Sequence, residues 1–175
     1  FDVGQLIDSR ERRRVVGDYT LTVEDILSHR TFPDTISHHY SNFDAAAFPD
    51  APLLLAMDAK GPCFKTDLPY RCLLPKGLDG LLVVGLGASA ERDAMTLIRM
   101  QPDLQNQGYA AGIAAAAAAK ADGHTRRIDV KALQKQLIGE GVLEARVSTD
   151  HDSWPLPLAE IQQAVQAVGD AHASD

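Results

Sequence analysis

The stretch from Leu81 to Ala121, LLVVGLGASAERDAMTLIRMQPDLQNQGYAAGIAAAAAAKA, leaves a chain few ways to fold. Leu81 to Val84 is a continuous apolar run ending at Gly85, as a strand buried on both faces should be. Asp79-Gly80 before it is a turn signal. A helix-like connection follows, then a second helix starting at Pro102 or Asp103, where proline suits the first helical position and the acid complements the helix dipole. Lys120 and Gly123 mark its end. Between them Gly108, Ala110, Ala111, Gly112 and Ala114 to Ala119 leave it almost bare of large side chains. Alanine forms helix well but buries little area. So smooth a helix implies close approach to another backbone or a flat ligand.

The 175 residues are enough for a domain with a real core, and 45% of them are apolar. The net charge is −7, and apart from one cluster the basic residues are scattered. This argues against a nucleic-acid partner or an anionic membrane surface. The Ala-rich run is too short to span a membrane, and no signal peptide is visible. A soluble protein is expected, with cytoplasmic and exported locations both open. Cys63 and Cys72 are too few for a disulfide framework, and whether they pair stays open. No metal site is expected. The chain opens on Phe1 inside what reads as structured sequence, so it is expected to be a fragment or the mature part of a longer product.

Along the chain, Arg10-Glu11-Arg12-Arg13-Arg14 reads either as a solvated face or as a source of bidentate arginine contacts to a carboxylate or phosphate. Thr22-Val23-Glu24-Asp25 has capping-box spacing and predicts a helix from Val23 to about Ser28. His38-His39 lies in a polar stretch, and adjacent histidines point to different sides, so they do not chelate one metal together. The bland reading is one surface and one half-buried histidine; the functional one is a proton donor or substrate ligand. Residues 44 to 69 read as a long excursion with short strands at Leu53 to Met57 and Cys63 to Lys65. Pro69 and Pro75 bracket an extended segment. Asp129 caps a helix whose apolar stripe is Val130, Leu133, Leu137 and Ile138. A last amphipathic helix carries Leu158, Ile161, Val165 and Val168, and Gly169 to Asp175 should fray.

Gly85-Leu86-Gly87-Ala88-Ser89-Ala90 fits G-x-G-x-x-A after a strand, the pattern that sets a dinucleotide diphosphate on a helix N-terminus. Yet the sequence runs on through Arg99-Met100-Gln101-Pro102 into a second helix instead of a second strand, so this is no complete βαβ unit.

Three blocks together resemble a known family. They are Arg10 to Thr22 (RERRRVVGDYTLT), Pro69 to Gly85 (PYRCLLPKGLDGLLVVG), and Ser89-Ala90 through Arg99-Met100-Gln101-Pro102 to Gly108-Tyr109-Ala110-Ala111-Gly112. In their order they resemble the C-terminal part of bacterial FAD-dependent oxidoreductases with a glutathione-reductase-like flavin domain. The resemblance implies an α/β or α+β fold, the C-terminal portion of an FAD/NAD(P)-binding-type architecture. Residues 1–75 would be a partial substrate-domain segment, 76–123 a strand-helix unit completing a flavin domain, and 124–175 a C-terminal helical extension. FAD is the implied cofactor, bound weakly or not at all by this chain alone, because the family's diphosphate loop lies nearer its N-terminus. Implied cofactor residues are Gly85, Leu86, Gly87, Ser89, Met100, Gln101, Pro102, Gln107, Gly108 and Ala111, with the helix N-terminus toward the flavin's pyrimidine edge and Gly108 and Gly112 as packing positions. Arg99, Arg13 and Arg14 are candidates for holding an anionic substrate or the flavin's charge, with His38 and His39 behind them as proton donors. The substrate would be a small molecule. The macromolecular partner would be the other half of the flavin domain or a second copy. The competing reading is a non-catalytic interaction module derived from the same fold. Leu86 stands where relatives carry Asp or Arg, and Arg92 and Ala45-Ala46-Ala47 stand where they carry histidines. A site built on those histidines would be lost.

Overall fold

A computed structural model describes residues 13–43, 49–55 and 63–172. Arg10 to Arg12, Ala45 to Ala47 and Met57 lie outside the described residues.

The fold is α+β, helices around one small sheet. Thr22 caps α1 (Val23–Leu27) with a complete capping box: its hydroxyl accepts the Asp25 N–H, and the Asp25 carboxylate accepts the Thr22 N–H. β1 (Thr35–Ser41) follows, then the single turn α2 (Pro52–Leu55), where a strand was expected. β2 (Phe64–Pro69) pairs antiparallel with β1, setting His38 opposite Asp67 and His39 opposite Thr66. β2 thus contains part of the strand expected at Cys63 to Lys65 and runs further. Neither histidine is at the surface: His38 is 7% exposed and His39 0%. They do point to opposite faces, as strand geometry requires. Tyr70 to Leu73 tighten into a 3₁₀ turn in place of the expected extended segment.

The expected strand at Leu81–Val84 does not form. Leu81 and Val84 are 46% and 42% exposed, and the regular ladder is replaced by one bond, from the Val83 N–H to the Leu73 carbonyl. A strand buried on both faces needs neighbours on each side and cover above and below. The described residues supply only this partner. The surrounding backbone is nevertheless well tied. The Val15 N–H bonds Gly87 O, Leu21 N–H bonds Ser89 O, and Ser89 N–H bonds Cys72 O, each within 3.1 Å. Cys72 is buried, Cys63 exposed, and both are free.

α3 (Arg92–Leu97) leads to α4 (Gln101–Ala119), which carries proline in its first turn as expected. α4 lies on β1 along a stripe formed by Asp103, Gln107, Ala110, Ala111, Ala114 and Ala118. Small side chains allow that close approach. α5 (Val130–Gly139), capped by Asp129, buries Leu133 and Leu137 against α4 and β1. Fully buried Leu21, Phe32, Ile36, Leu68, Leu73, Leu97, Ile98 and Leu137 make the core between helices and sheet. α6 (Leu158–His172) runs three residues past Gly169, where fraying was expected.

Among the described residues, a Cβ at Gly108 or Gly112 would meet nothing within 4 Å. Within this chain the close packing of α4 is made by its buried alanines. Glycine in a helix interior costs roughly 0.5–1 kcal/mol relative to alanine. Gly112→Ala should therefore raise stability by up to about 1 kcal/mol, read as a higher urea midpoint. An unchanged or lower midpoint would show that the exposed face already has a partner.

Candidate functional site

Two backbone features meet at one place. Gly85, in the left-handed region at φ +65°, opens a 3₁₀ turn to Gly87, and its N–H donates to Gln107 Oε1 at 2.7 Å. Gln107 is fully buried on α4, two turns from that helix's N-terminus, about 9 Å along the axis. Its Nε2 has no hydrogen-bond partner. At the N-terminus Gln101 and Pro102 are exposed, and the half-buried N-cap residue Met100 makes no side-chain cap bond to the first-turn amides. Asp103 faces inward, its carboxylate accepting the Tyr40 N–H at 2.8 Å. Uncapped amides and the helix dipole favour negative charge beside this end.

The implied cofactor residues divide into two groups. Gly85, Leu86, Gly87, Met100, Gln101, Pro102 and Gly108 retain exposed surface around the loop and the helix end. Ser89, Gln107 and Ala111 are buried. Ser89 Oγ accepts the Gly17 N–H at 2.9 Å and lies 2.8 Å from Thr20 Oγ1, so it braces the loop from within. The glycines do not lead directly into a helix: Ala88 to Glu91 intervene before α3, which is only six residues long. A diphosphate seat of the dinucleotide type is therefore not built at Gly85–Gly87. An open face of small residues, an uncapped helix end and an orphaned buried amide fit a flavin's flat, charge-accepting edge better than its diphosphate.

The substrate-side candidates are dispersed. Arg13 is exposed, Arg14 half-buried, and Arg99 buried at 9% exposure between α3 and α4. His38 Nδ1 lies 2.8 Å from Asp67 Oδ1, and its Nε2 accepts the Glu144 N–H at 3.4 Å. His39 Nε2 sits 3.0 Å from Ser37 Oγ. Burial pushes the His39 imidazole down to about 4, against an opposing contact with the Ile98 backbone. His39 is therefore neutral at pH 7. Its Nδ1 and the Thr66 Oγ1 opposite it both lack partners.

A cleft of about 360 Å³ opens elsewhere, lined by Asp25, Arg30, Phe32, Lys65, Asp67 and Arg146 among others, and by none of the five catalytic candidates. Arg30 and Arg146 carry no motif that marks them in sequence, yet each is the hub of an ion-pair network. Arg30 bonds Asp25 and Asp152. Arg146 bonds Asp67, Glu144 and Asp150, and Lys65 pairs with Glu144. Every cation of the cleft is thus already neutralised. Among the described residues no group of three or more His, Cys, Asp or Glu side chains is arranged to hold a metal, and no helix is long and apolar enough to cross a membrane.

Residues 2–137 match a protein family described as FAD dependent oxidoreductase. No curated protein and no solved structure matches the chain.

Proposed function

The chain belongs to the FAD-dependent oxidoreductase family, and we propose that it supplies part of the FAD pocket and the substrate side of a flavin oxidoreductase of the glutathione-reductase-like class. The observation that carries this reading is the bond from the Gly85 N–H to Gln107, which ties the glycine loop to α4 two turns from its N-terminus. FAD, when bound, supplies the hydride and electron chemistry. The chain's own contribution is electrostatic and steric. The first-turn amides of α4 favour negative charge at the flavin's pyrimidine edge. Arg99, just before that turn, adds a fixed cation. Arg13 and Arg14 offer a bidentate grip on an anionic substrate, and His38 stands as a proton carrier held by Asp67. The open side of α4 at Gly108 and Gly112 is the surface against which the rest of the flavin domain packs. On this reading residues 1–75 belong to the substrate domain, 76–123 to the flavin domain, and 124–175 form an extension.

The test uses the full-length protein. Gly108→Leu should lower its flavin content severalfold, because a large side chain in a close contact costs about 1–3 kcal/mol or more. In the 175-residue chain alone the same substitution should leave the melting temperature unchanged or slightly raised, since nothing lies within 4 Å of an added Cβ. The 175 residues alone should show no stoichiometric FAD binding by calorimetric titration. Normal flavin content in full-length Gly108→Leu would overturn the packing of α4 on the cofactor domain.

A further inference from the structure

α6 presents Leu158, Ile161, Val165 and Val168 at 69%, 42%, 68% and 60% exposure. Their spacing of three, four and three residues is the a/d seam of a coiled coil, two heptads long. A fifteen-residue helix is marginal in water on its own, and in proteins it is held by burial of its apolar face. This seam is instead left open.

We propose that the seam of α6 pairs with the same seam of a second copy of this chain, about a two-fold axis. Three features point to self-pairing. An a/d stripe is self-complementary, so one face supplies both halves of an isologous contact. The positions flanking the seam, Gln162, Ala164 and Gly169, carry no charge. A chain of net charge −7 therefore meets its own copy here without like charges abutting, and a basic partner finds no acidic rim to recognise. The acids of the helix, Glu160 and Asp170, occupy other heptad positions. The small flanking residues also let two backbones approach closely. Two such seams offer on the order of 900 Å², the range of small, reversible interfaces. The inference does not depend on the flavin reading.

Val165 is an inner position of the seam, and parallel two-fold pairing sets it against its own copy. Sedimentation equilibrium at concentrations up to about 0.1 mM should give twice the mass of one chain for the wild type and one chain mass for Val165→Glu. In a Cys63→Ser background, which removes the exposed native thiol, Val165→Cys should form an interchain disulfide under mild oxidation. Gln163→Cys, off the seam, should not. A wild type that stays monomeric, a Val165→Glu variant that stays dimeric, or equal cross-linking through residues 163 and 165 would each overturn the proposal. Monomeric wild type would assign the seam to a different partner or to another part of a longer chain.

Discussion

Arg30→Met should cost the fold roughly 3 kcal/mol, the range found when one partner of a buried ion pair is removed. The Arg30 side chain is only 15% exposed. Its Nε and one terminal nitrogen grip both oxygens of Asp152 at 2.9 and 3.0 Å, while the other terminal nitrogen donates to Asp25 Oδ1 at 2.9 Å and to the Tyr19 hydroxyl at 2.8 Å. The guanidinium also stacks over Phe32 and Tyr19, 5.0 and 5.4 Å from their ring centres. Methionine keeps the apolar contact and deletes every one of the hydrogen bonds. Asp25, 7% exposed and already the capping acid of α1, then loses its cation. The pair with Asp152, beside the bond from the Thr31 N–H to Ser153 Oγ, also ties the chain near residue 152 to the start of β1. Its amides should therefore exchange faster in the variant. Arg30→Lys should recover only part of the loss, because an ammonium cannot reproduce the planar fork. With each kcal/mol worth about 2–4 °C at this size, a melting temperature within 2 °C of wild type would sink the assignment.

Helix α1 was readable from Thr22 and Asp25, because a capping box is a local signal whose hydrogen bonds close within four residues. α4, α5 and α6 were readable for the same kind of reason: Pro102, Asp129 and the apolar spacings act within a turn or two. β1 was not. Buried His38 fits the strand because Asp67, itself held by Arg146, meets it in space, the two lying 29 and 108 residues away in sequence. No window of sequence contains that compensation. The apolar run Leu81–Val84 erred in the opposite direction, since a strand is defined by its neighbours as much as by its own residues. The smoothness of α4 was read as a sign of close approach, and within this chain that approach is made by its buried alanines. The alanines at 110, 111, 114 and 118 are buried, while an added Cβ at Gly108 or Gly112 would meet nothing within 4 Å among the described residues. The bond of Gly85 to α4 was not legible, because one backbone N–H accepted by a buried glutamine leaves no pattern in composition or period.

The second large effect concerns Asp67, which is pH-dependent and can be read in a denaturant series. Asp67 is 5% exposed on its side chain and receives His38 Nδ1 at 2.8 Å and two Arg146 nitrogens at 2.9 and 2.8 Å. Burial alone would raise its pKa, but the bonds from His38 and Arg146 outweigh burial and hold the carboxyl below its ordinary value. A carboxyl depressed in the folded state stabilises the fold above its unfolded pKa, about 4. That contribution is lost as pH falls through the lower folded value. The wild type should therefore keep its Asp67 contribution down to about pH 4 and lose it progressively below. Arg146→Met removes two of the three donors and leaves a buried carboxylate facing His38 alone. Since Arg146 is itself 36% exposed, the cost at pH 7 should sit near the low end for a broken buried pair, roughly 3 kcal/mol. The same change removes the Arg146 bonds that lower it, so the Asp67 pKa rises and the acid limb of the stability curve moves to higher pH. Asp67→Asn keeps the shape but removes the charge, and Arg146 retains Glu144 and Asp150. Its loss should be smaller, and its stability should fall less steeply than wild type below about pH 4. Urea midpoints at half-unit steps from about pH 3 to 7 separate the three proteins. If wild type and Arg146→Met trace parallel curves across that range, Asp67 does not titrate through this contact and the pair is only a surface tether.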